Sequence, residues 1–402
     1  MGGIIKILYV LREEFPTFRP DIKALFGHYL PRHGIMTSVI AKGSYGDATT
    51  WSGGNVYLVK QHVASVVGRF TSAVRVLALI ARHASAHDAI QVRDQAFIGL
   101  VSLIIARASN KSFFYWMSYP YAEDDIDKYH YLKSTHGVLW RCFYLIRGYL
   151  QQHLLYNVVI PQSDYVFAQS DNMKEWLLRK LSADEKKIAV MPMGVDTEEV
   201  ADILGSSKAI VKSCKTLEIG YLGVINRLRM KEFFFDAIGI VLARHPEASI
   251  IFVGGGLLEG DSDWLATEMN NRHLAGRFKI TEWLSTAEAL SRISEVRVAI
   301  SILPRNSILD MSSPTKVLEY AAIGVPCVAT DVPDQKLVLA TLENGICVEQ
   351  DADKIANAID LLFRDETLCY RLSANGRERV ADFRGYHIIA RDLAAKYREI
   401  LG

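Results

Sequence analysis

Between Ile4 and Met117, short apolar runs of strand length alternate with runs of helical periodicity, and from Leu217 the same alternation starts again. Ile4–Val10, Met36–Ala41, Asn55–Val59, His87–Val92 and Phe113–Met117 read as strands, with helices over Asp21–Pro31, Ala64–Arg82 and Ala96–Ala108. In the second half, Leu217–Leu222, Ala248–Val253, Phe278–Thr281, Val298–Ile302 and Cys327–Ala329 read as strands, and Lys231–Arg244 as a helix. Strands that alternate with helices at this spacing predict parallel sheets covered on both faces. A chain of 402 residues exceeds one ordinary core, so the reading is an α/β protein of two domains in tandem, divided at about residue 205. Open sheets of this kind bind ligands beyond the carboxyl ends of their strands, and two facing each other would make one central cleft.

Half of the residues are hydrophobic and 23% are charged, the balance of a globular enzyme rather than a disordered chain. A net charge of +1 gives no reason to expect nucleic acid as a partner. The five cysteines have neither metal-ligand nor redox spacing, so free thiols in a reducing compartment are expected. No leader is visible ahead of the first strand, and the run Ala96–Ala106 falls short of the ~20 residues a spanning helix needs. The expected location is cytoplasmic.

The segment Ser312–Asp331 carries the sharpest chemistry. Two serines, Pro314, Thr315 and Lys316 precede a helical run containing Glu319, which stops at Gly324 and leads through Pro326 into a strand. A helix N-terminus presents free N–H groups and the positive end of a dipole, both suited to phosphate. Lys316 opposes that dipole unless an anion sits there, and Glu319 can accept hydrogen bonds from ribose hydroxyls. Ser313 and Thr315 belong to the same cradle. After the strand Leu217–Leu222, Gly223 opens a loop in which Arg227, Arg229 and Lys231 fall within five residues. Guanidinium groups pair bidentately with phosphate oxygens, although a solvated basic turn would look the same in isolation. Gly254-Gly255-Gly256 follows a strand without the GxGxxG context of a dinucleotide loop, and suits a turn of close backbone approach.

Phe114–Asp125 joins an aromatic strand end to an acidic loop and reads equally as the wall of a sugar or acceptor site or as core aromatics beside a solvated turn. Residues 60–82 hold Lys60, Arg69, Arg75 and Arg82 with no acid, and Trp140, Arg141, Phe143, Tyr144, Arg147 and Tyr149 mix aromatics with cations on a second helix. Such faces suit an anionic membrane surface, and they also suit core-facing helices with solvated cations.

These motifs together resemble the GT-B glycosyltransferases, specifically the retaining glycosyltransferase family 4, over nearly the whole chain. Ile219–Gly223 with Arg227 and Arg229 is similar to the family's donor-diphosphate loop, Ile188–Asp196 to the segment before the interdomain linker, and Lys316–Pro326 to its signature helix. The resemblance implies two Rossmann-like domains: residues 1–205 binding the acceptor and 206–384 binding a nucleotide-sugar donor. A closing helix over 385–402 returns to the first domain. It assigns the departing diphosphate to Arg227, Arg229 and Lys316, and the ribose to Glu319. Gly223, Ser313, Thr315, Gly255 and Asp310 complete the donor side, and Ser118, Tyr119 and Arg19 lie on the acceptor side. No metal and no cofactor beyond the co-substrate, a UDP- or GDP-sugar, is implied. The implied acceptor is a glycan or a polyprenyl-linked sugar in bacterial surface polysaccharide or glycoconjugate synthesis, with peripheral contact at the inner membrane's cytoplasmic face. The family's glutamates lie eight positions apart, yet Met311 occupies the earlier position, with Asp310 beside it. Ser118 stands where a histidine is common. These departures keep two other readings in view: a sugar-nucleotide epimerase or hydrolase of the same fold, and a degenerate nucleotide-binding partner subunit.

Overall fold

The computed structural model describes residues 3–17, 19–43, 51–60, 66–132, 137–181, 185–205 and 217–402, without the side chains of 66, 67, 69, 70 and 131. Cys214 and most of the expected linker lie outside these residues. Two compact units emerge, one of Met1–Pro192 with Tyr386–Gly402 and the other of Met193–Gly385. The division thus falls at Pro192/Met193 rather than near 205. The physical reason is the helix Thr197–Leu204, capped by Asp196, which buries Val200 in the second unit's core together with Val195.

The first unit is built on seven strands: β1 (Ile5–Phe15), β2 (Ile35–Gly43), β3 (Val56–Val59), β4 (Ala89–Arg93), β5 (Ser112–Met117), β6 (Tyr165–Ala168) and β7 (Ile188–Val190). They lie in the order β3-β2-β1-β4-β5-β6-β7, all parallel. The second unit has β8 (Glu218–Leu222), β9 (Ser249–Val253), β10 (Phe278–Ile280), β11 (Val298–Ser301), β12 (Cys327–Thr330) and β13 (Gly345–Val348), in the order β10-β9-β8-β11-β12-β13, again parallel. Each sheet reverses its direction of winding once, between β1 and β4 in the first and between β8 and β11 in the second. Such switch points leave a crevice at the strands' carboxyl ends.

β1 continues through Leu11 to Phe15, where the sequence suggests a loop after Val10. The acidic stretch after β5 is a helix, Tyr121–Tyr131, whose carboxylates are drawn to cations on neighbouring helices rather than to solvent. The closing helix Tyr386–Leu401 buries Tyr386, Ile389, Ala390, Leu393, Ala394 and Tyr397, a stripe at helical spacing. It packs against the π-helical stretch Asp21–Tyr29, and the Tyr397 hydroxyl donates to Gln91 Oε1 at 2.6 Å inside the first unit. The four cysteines among the described residues are free. No described helix is long and apolar enough to cross a membrane.

Candidate functional site

The second unit's switch point is held together by the helix Lys316–Ile323. Its apolar positions Val317, Leu318, Tyr320, Ala321 and Ile323 are buried, and it ends at Gly324 in the left-handed conformation. The buried Tyr320 hydroxyl accepts from Leu222 N–H at the end of β8 (3.0 Å) and donates to the Ile300 carbonyl of β11 (3.1 Å). One phenol therefore locks the helix to both strands that flank the crevice.

At the helix start, Thr315 occupies the N-cap without a side-chain hydrogen bond to the first turn. Neither serine caps the helix. Ser313 instead donates to Asp334 (2.6 Å), accepts from Met193 N–H (3.1 Å), and joins a buried pair in which Arg384 meets Asp334 at 2.9 Å. Its hydroxyl is thus spent on internal structure, while the leading amides of the helix remain uncapped by any side chain.

Lys316 enters the crevice from this helix. Its ammonium is shielded from solvent, donates to no acceptor among the described residues, and lies 3.7 Å from the centroid of the Tyr221 ring. Burial, reinforced by the nearby Arg229 charge, holds its pKa well below the ordinary lysine value. The half-buried Glu319, one turn further on, is pushed by burial up to about 7, against the pull of Lys316. Two basic side chains therefore share one corner, with no carboxylate in ion-pair contact among the described residues. An anion bound there would restore the lysine's charge and remove the Lys316–Arg229 repulsion.

The loop after β8 forms the other wall. Gly223 has φ +115°, and a Cβ there would come within 2.9 Å of Lys316 Cε. Gly254, with φ +136°, approaches so closely that a Cβ would collide with the Gly223 carbonyl oxygen. Gly223 N–H donates to Val253, Ile225 N–H to the Gly255 carbonyl, and the Tyr221 hydroxyl to the Val224 carbonyl. Gly255 itself lies against Trp283. The loop is consequently rigid and leaves no room for side chains where backbone must meet a ligand. Arg229 is half-buried and makes no ion pair among the described residues. Arg227 differs: it pairs with Asp261 at 2.8 Å and leans over the Trp264 ring at the outer edge of the loop.

Asp310 is bound to Arg305 at 2.6 Å, and Arg305 also reaches Asp331 at 3.2 Å. Met311 is buried in the turn Leu309–Met311. The structure thus joins Lys316, Arg229, Gly223 and Glu319 at one place. It ties Ser313, Arg227 and Asp310 to internal partners. Arg305, which sequence reasoning passed over, is the cation that occupies Asp310.

The first unit carries its own polar cluster at the β1/β4 switch point. Arg93, at the end of β4 and fully buried, meets Asp21 at 2.7 Å and Glu13 and Asp94 at 3.5 Å each. Arg19 adds contacts to Asp21 (3.2 Å) and Glu13 (3.5 Å). Burial pushes Asp21 up, but Arg93 and Arg19 together bring it down to about 2. Asp94, at φ +54°, accepts from Ser118 through both its amide and its hydroxyl, and from Tyr119 N–H at 3.4 Å. The three acceptor-side residues Arg19, Ser118 and Tyr119 are thereby brought together around Arg93 and Asp94. Neither of those two was singled out from the sequence, where a buried ion network gives no periodic signal.

Residues 216–365 match the family described as "Glycosyl transferases group 1". Among curated relatives, the UDP-Gal:alpha-D-GlcNAc-diphosphoundecaprenol alpha-1,3-galactosyltransferase of Escherichia coli is 25% identical over 54% of this chain and 55% of its own length. The D-inositol 3-phosphate glycosyltransferase of Stackebrandtia nassauensis is 26% identical over 60% and 56% respectively. The chain therefore spans about half the length of these relatives. Among solved structures, HepE of Anabaena, in complex with UDP and glucose, superposes over 98% of this chain and 99% of its own, with TM-score 0.72 and 12% identity. Sucrose-phosphate synthase of Thermosynechococcus elongatus superposes over 98% and 99%, with TM-score 0.73 and 15% identity. The chain has the two-sheet fold of these solved structures, that of the GT-B glycosyltransferases, and residues 216–365 of its second unit match the group 1 glycosyl transferase family.

Proposed function

We propose that this protein transfers a sugar, with retention, from a nucleotide diphosphate to a glycan or polyprenyl-linked acceptor in surface polysaccharide or glycoconjugate synthesis. The observation that carries the reading is the Lys316 ammonium: buried, without a hydrogen-bond acceptor, beside Arg229 and beneath Gly223. Two preorganised cations at an uncapped helix start are suited to the charge that develops on a departing diphosphate. In that role Lys316 and Arg229 stabilise the leaving group, Gly223 and Gly255 admit its oxygens to the backbone, and Glu319 accepts from the ribose. Arg227, held by Asp261, guards the loop's outer edge. The UDP complex of HepE and the lipid-linked substrate in the name of the Escherichia coli relative favour a UDP-sugar and a polyprenyl-linked acceptor. The same acceptor would place the protein at the cytoplasmic face of the membrane. Because the cations neutralise the diphosphate, transfer is expected to survive metal chelators.

The test is incubation of the full chain with UDP- and GDP-sugars, with and without a polyprenyl-diphosphate sugar. A lipid-linked product whose anomeric configuration matches the donor supports the reading. Prompt free sugar or an epimer without acceptor would replace it with the hydrolase or epimerase alternative.

A further inference from the structure

The helix Val138–Leu154 is built inside out. Its polar residues face the protein: Arg147 pairs with Asp125 at 2.5 Å, Gln151 donates to Asp125, Gln152 to Glu123, and Arg141 to the Tyr129 carbonyl. Its apolar residues face outward, with Leu139 87% exposed and Trp140, Phe143, Ile146 and Leu150 between 49% and 68%. Leu139, Phe143, Ile146 and Leu150 recur at spacings of four, three and four, which is one helical stripe. Water gives no reason for that stripe to face outward when ion pairs face inward.

The stripe continues onto neighbouring helices. Val66–His83, Ala96–Ala108 and Val138–Leu154 pack side by side, following crossovers that place them on the same face of the first sheet. Val74, Phe97 and Ile104 are exposed on the first two. Apart from Ile4, every exposed large hydrophobic among the first unit's described residues lies on these three helices. Their sequences contain six arginines and no aspartate or glutamate, and of these Arg107, Arg141 and Arg147 are engaged by Asp164, the Tyr129 carbonyl and Asp125. At one end, Lys60, Arg75 and Arg82 line a cleft of about 380 Å³ with Leu58, Val59, Ala78 and Leu79. These three cations make no ion pair among the described residues.

We propose that this three-helix face docks on an anionic phospholipid bilayer. The stripe enters the headgroup and acyl boundary, with Trp140 and Tyr149 at the interfacial level, and the Lys60/Arg75/Arg82 cleft receives a lipid phosphate. Charge decides against a second copy of the chain as occupant. Two such faces would oppose the Lys60, Arg75 and Arg82 of one to those of the other, with no carboxylate on any of the three helices to pair them. The proposal deepens the reading of a membrane-borne acceptor and rests on it for its purpose. Its test reads binding alone, so it can fail while nucleotide binding stands.

The experiment is co-sedimentation of the full chain with vesicles of phosphatidylcholine alone or mixed with phosphatidylglycerol, at low and high salt. The expected result is stronger binding to the mixed vesicles, weakened by salt. Leu139→Glu and Ile146→Glu should each reduce partition by about tenfold or more, and Arg75→Glu with Arg82→Glu should remove most of the salt dependence. These side chains point outward, so unchanged melting temperatures control for folding. As an independent readout, brominated phosphatidylcholine should quench a share of the tryptophan fluorescence that Trp140→Leu lacks. Absence of vesicle binding, or stripe variants that bind like the wild type, would overturn the proposal. A dimer that Leu139→Glu dissolves, without vesicle binding, would reassign the face to a second copy.

Discussion

The two switch points occupy the same place in two similar sheets and follow opposite electrostatic designs. At β1/β4, the buried Arg93 is surrounded by Asp21, Glu13 and Asp94. At β8/β11, the buried Lys316 has a second cation, Arg229, as its electrostatic neighbour, and its pKa falls well below the usual lysine value. The first cluster meets its charges with internal partners, two guanidinium groups among three carboxylates, and so acts as a scaffold that positions Ser118 and Tyr119. The second places two basic side chains together with no carboxylate in ion-pair contact among the described residues, the condition of a site whose charge is completed by an anionic ligand.

The largest effect should come from breaking the internally paired cluster. Arg93→Met would leave the buried Asp21 and Asp94 and the partly buried Glu13 without their main partner, and denaturant unfolding should show a loss of about 3–5 kcal/mol. A loss near zero would show that the cluster is not a scaffold. In the second unit the same kind of change should act on function instead. Lys316→Met or Arg229→Ala should lower sugar transfer by ~10²-fold or more, while leaving stability of the unliganded protein unchanged or improved. Both outcomes are read by pairing a transfer assay with unfolding of the same variants.

A smaller effect concerns backbone. Gly223→Ala places a Cβ against Lys316 at φ +115°, costing ~1–3 kcal/mol of strain and displacing the ammonium. Unfolding should register the first, and weakened nucleotide binding the second.

The subtlest effect is one of pH. Glu319 has a folded-state pKa of about 7, against 4.5 for an ordinary glutamate. Between these values the folded protein holds a proton that the unfolded chain has released, so this group's contribution makes stability decline as pH rises from 4.5 to 7. Asp21 works oppositely. Its pKa of about 2, below the ordinary 3.8, gives stability that is present above 3.8 and lost as pH falls through 2. Unfolding midpoints across the range should therefore show a decline through neutrality that Glu319→Gln removes, leaving the acid limb intact.

Much of the second site was legible in the sequence because its chemistry is local. Gly223, Arg229, Lys316 and Glu319 lie on two short segments whose strand and helix ends the apolar pattern already marks. What the sequence could not supply were long-range partners. Ser313 reads as part of the phosphate cradle until Asp334 and Arg384 are seen beside it, and Asp310 reads as a donor-side residue until Arg305 occupies it. The short strands β6, β7 and β13 were missed because four apolar residues or fewer carry too little periodicity. The inverted helix Val138–Leu154 shows the same limit. Its amphipathic pattern is visible in the sequence, but which face is inward is decided by Asp125 and Glu123 on another helix.

The central claim, that Lys316 and Arg229 await a nucleoside diphosphate, is tested most directly by calorimetric titration of the full chain and of Lys316→Met with UDP and GDP. The account predicts saturable binding of at least one nucleotide by the wild type, with stabilisation of ~2.7 kcal/mol at about 100 times its dissociation constant, and its loss in the variant. Equal binding by wild type and Lys316→Met, or no binding of either nucleotide by the wild type, would contradict it.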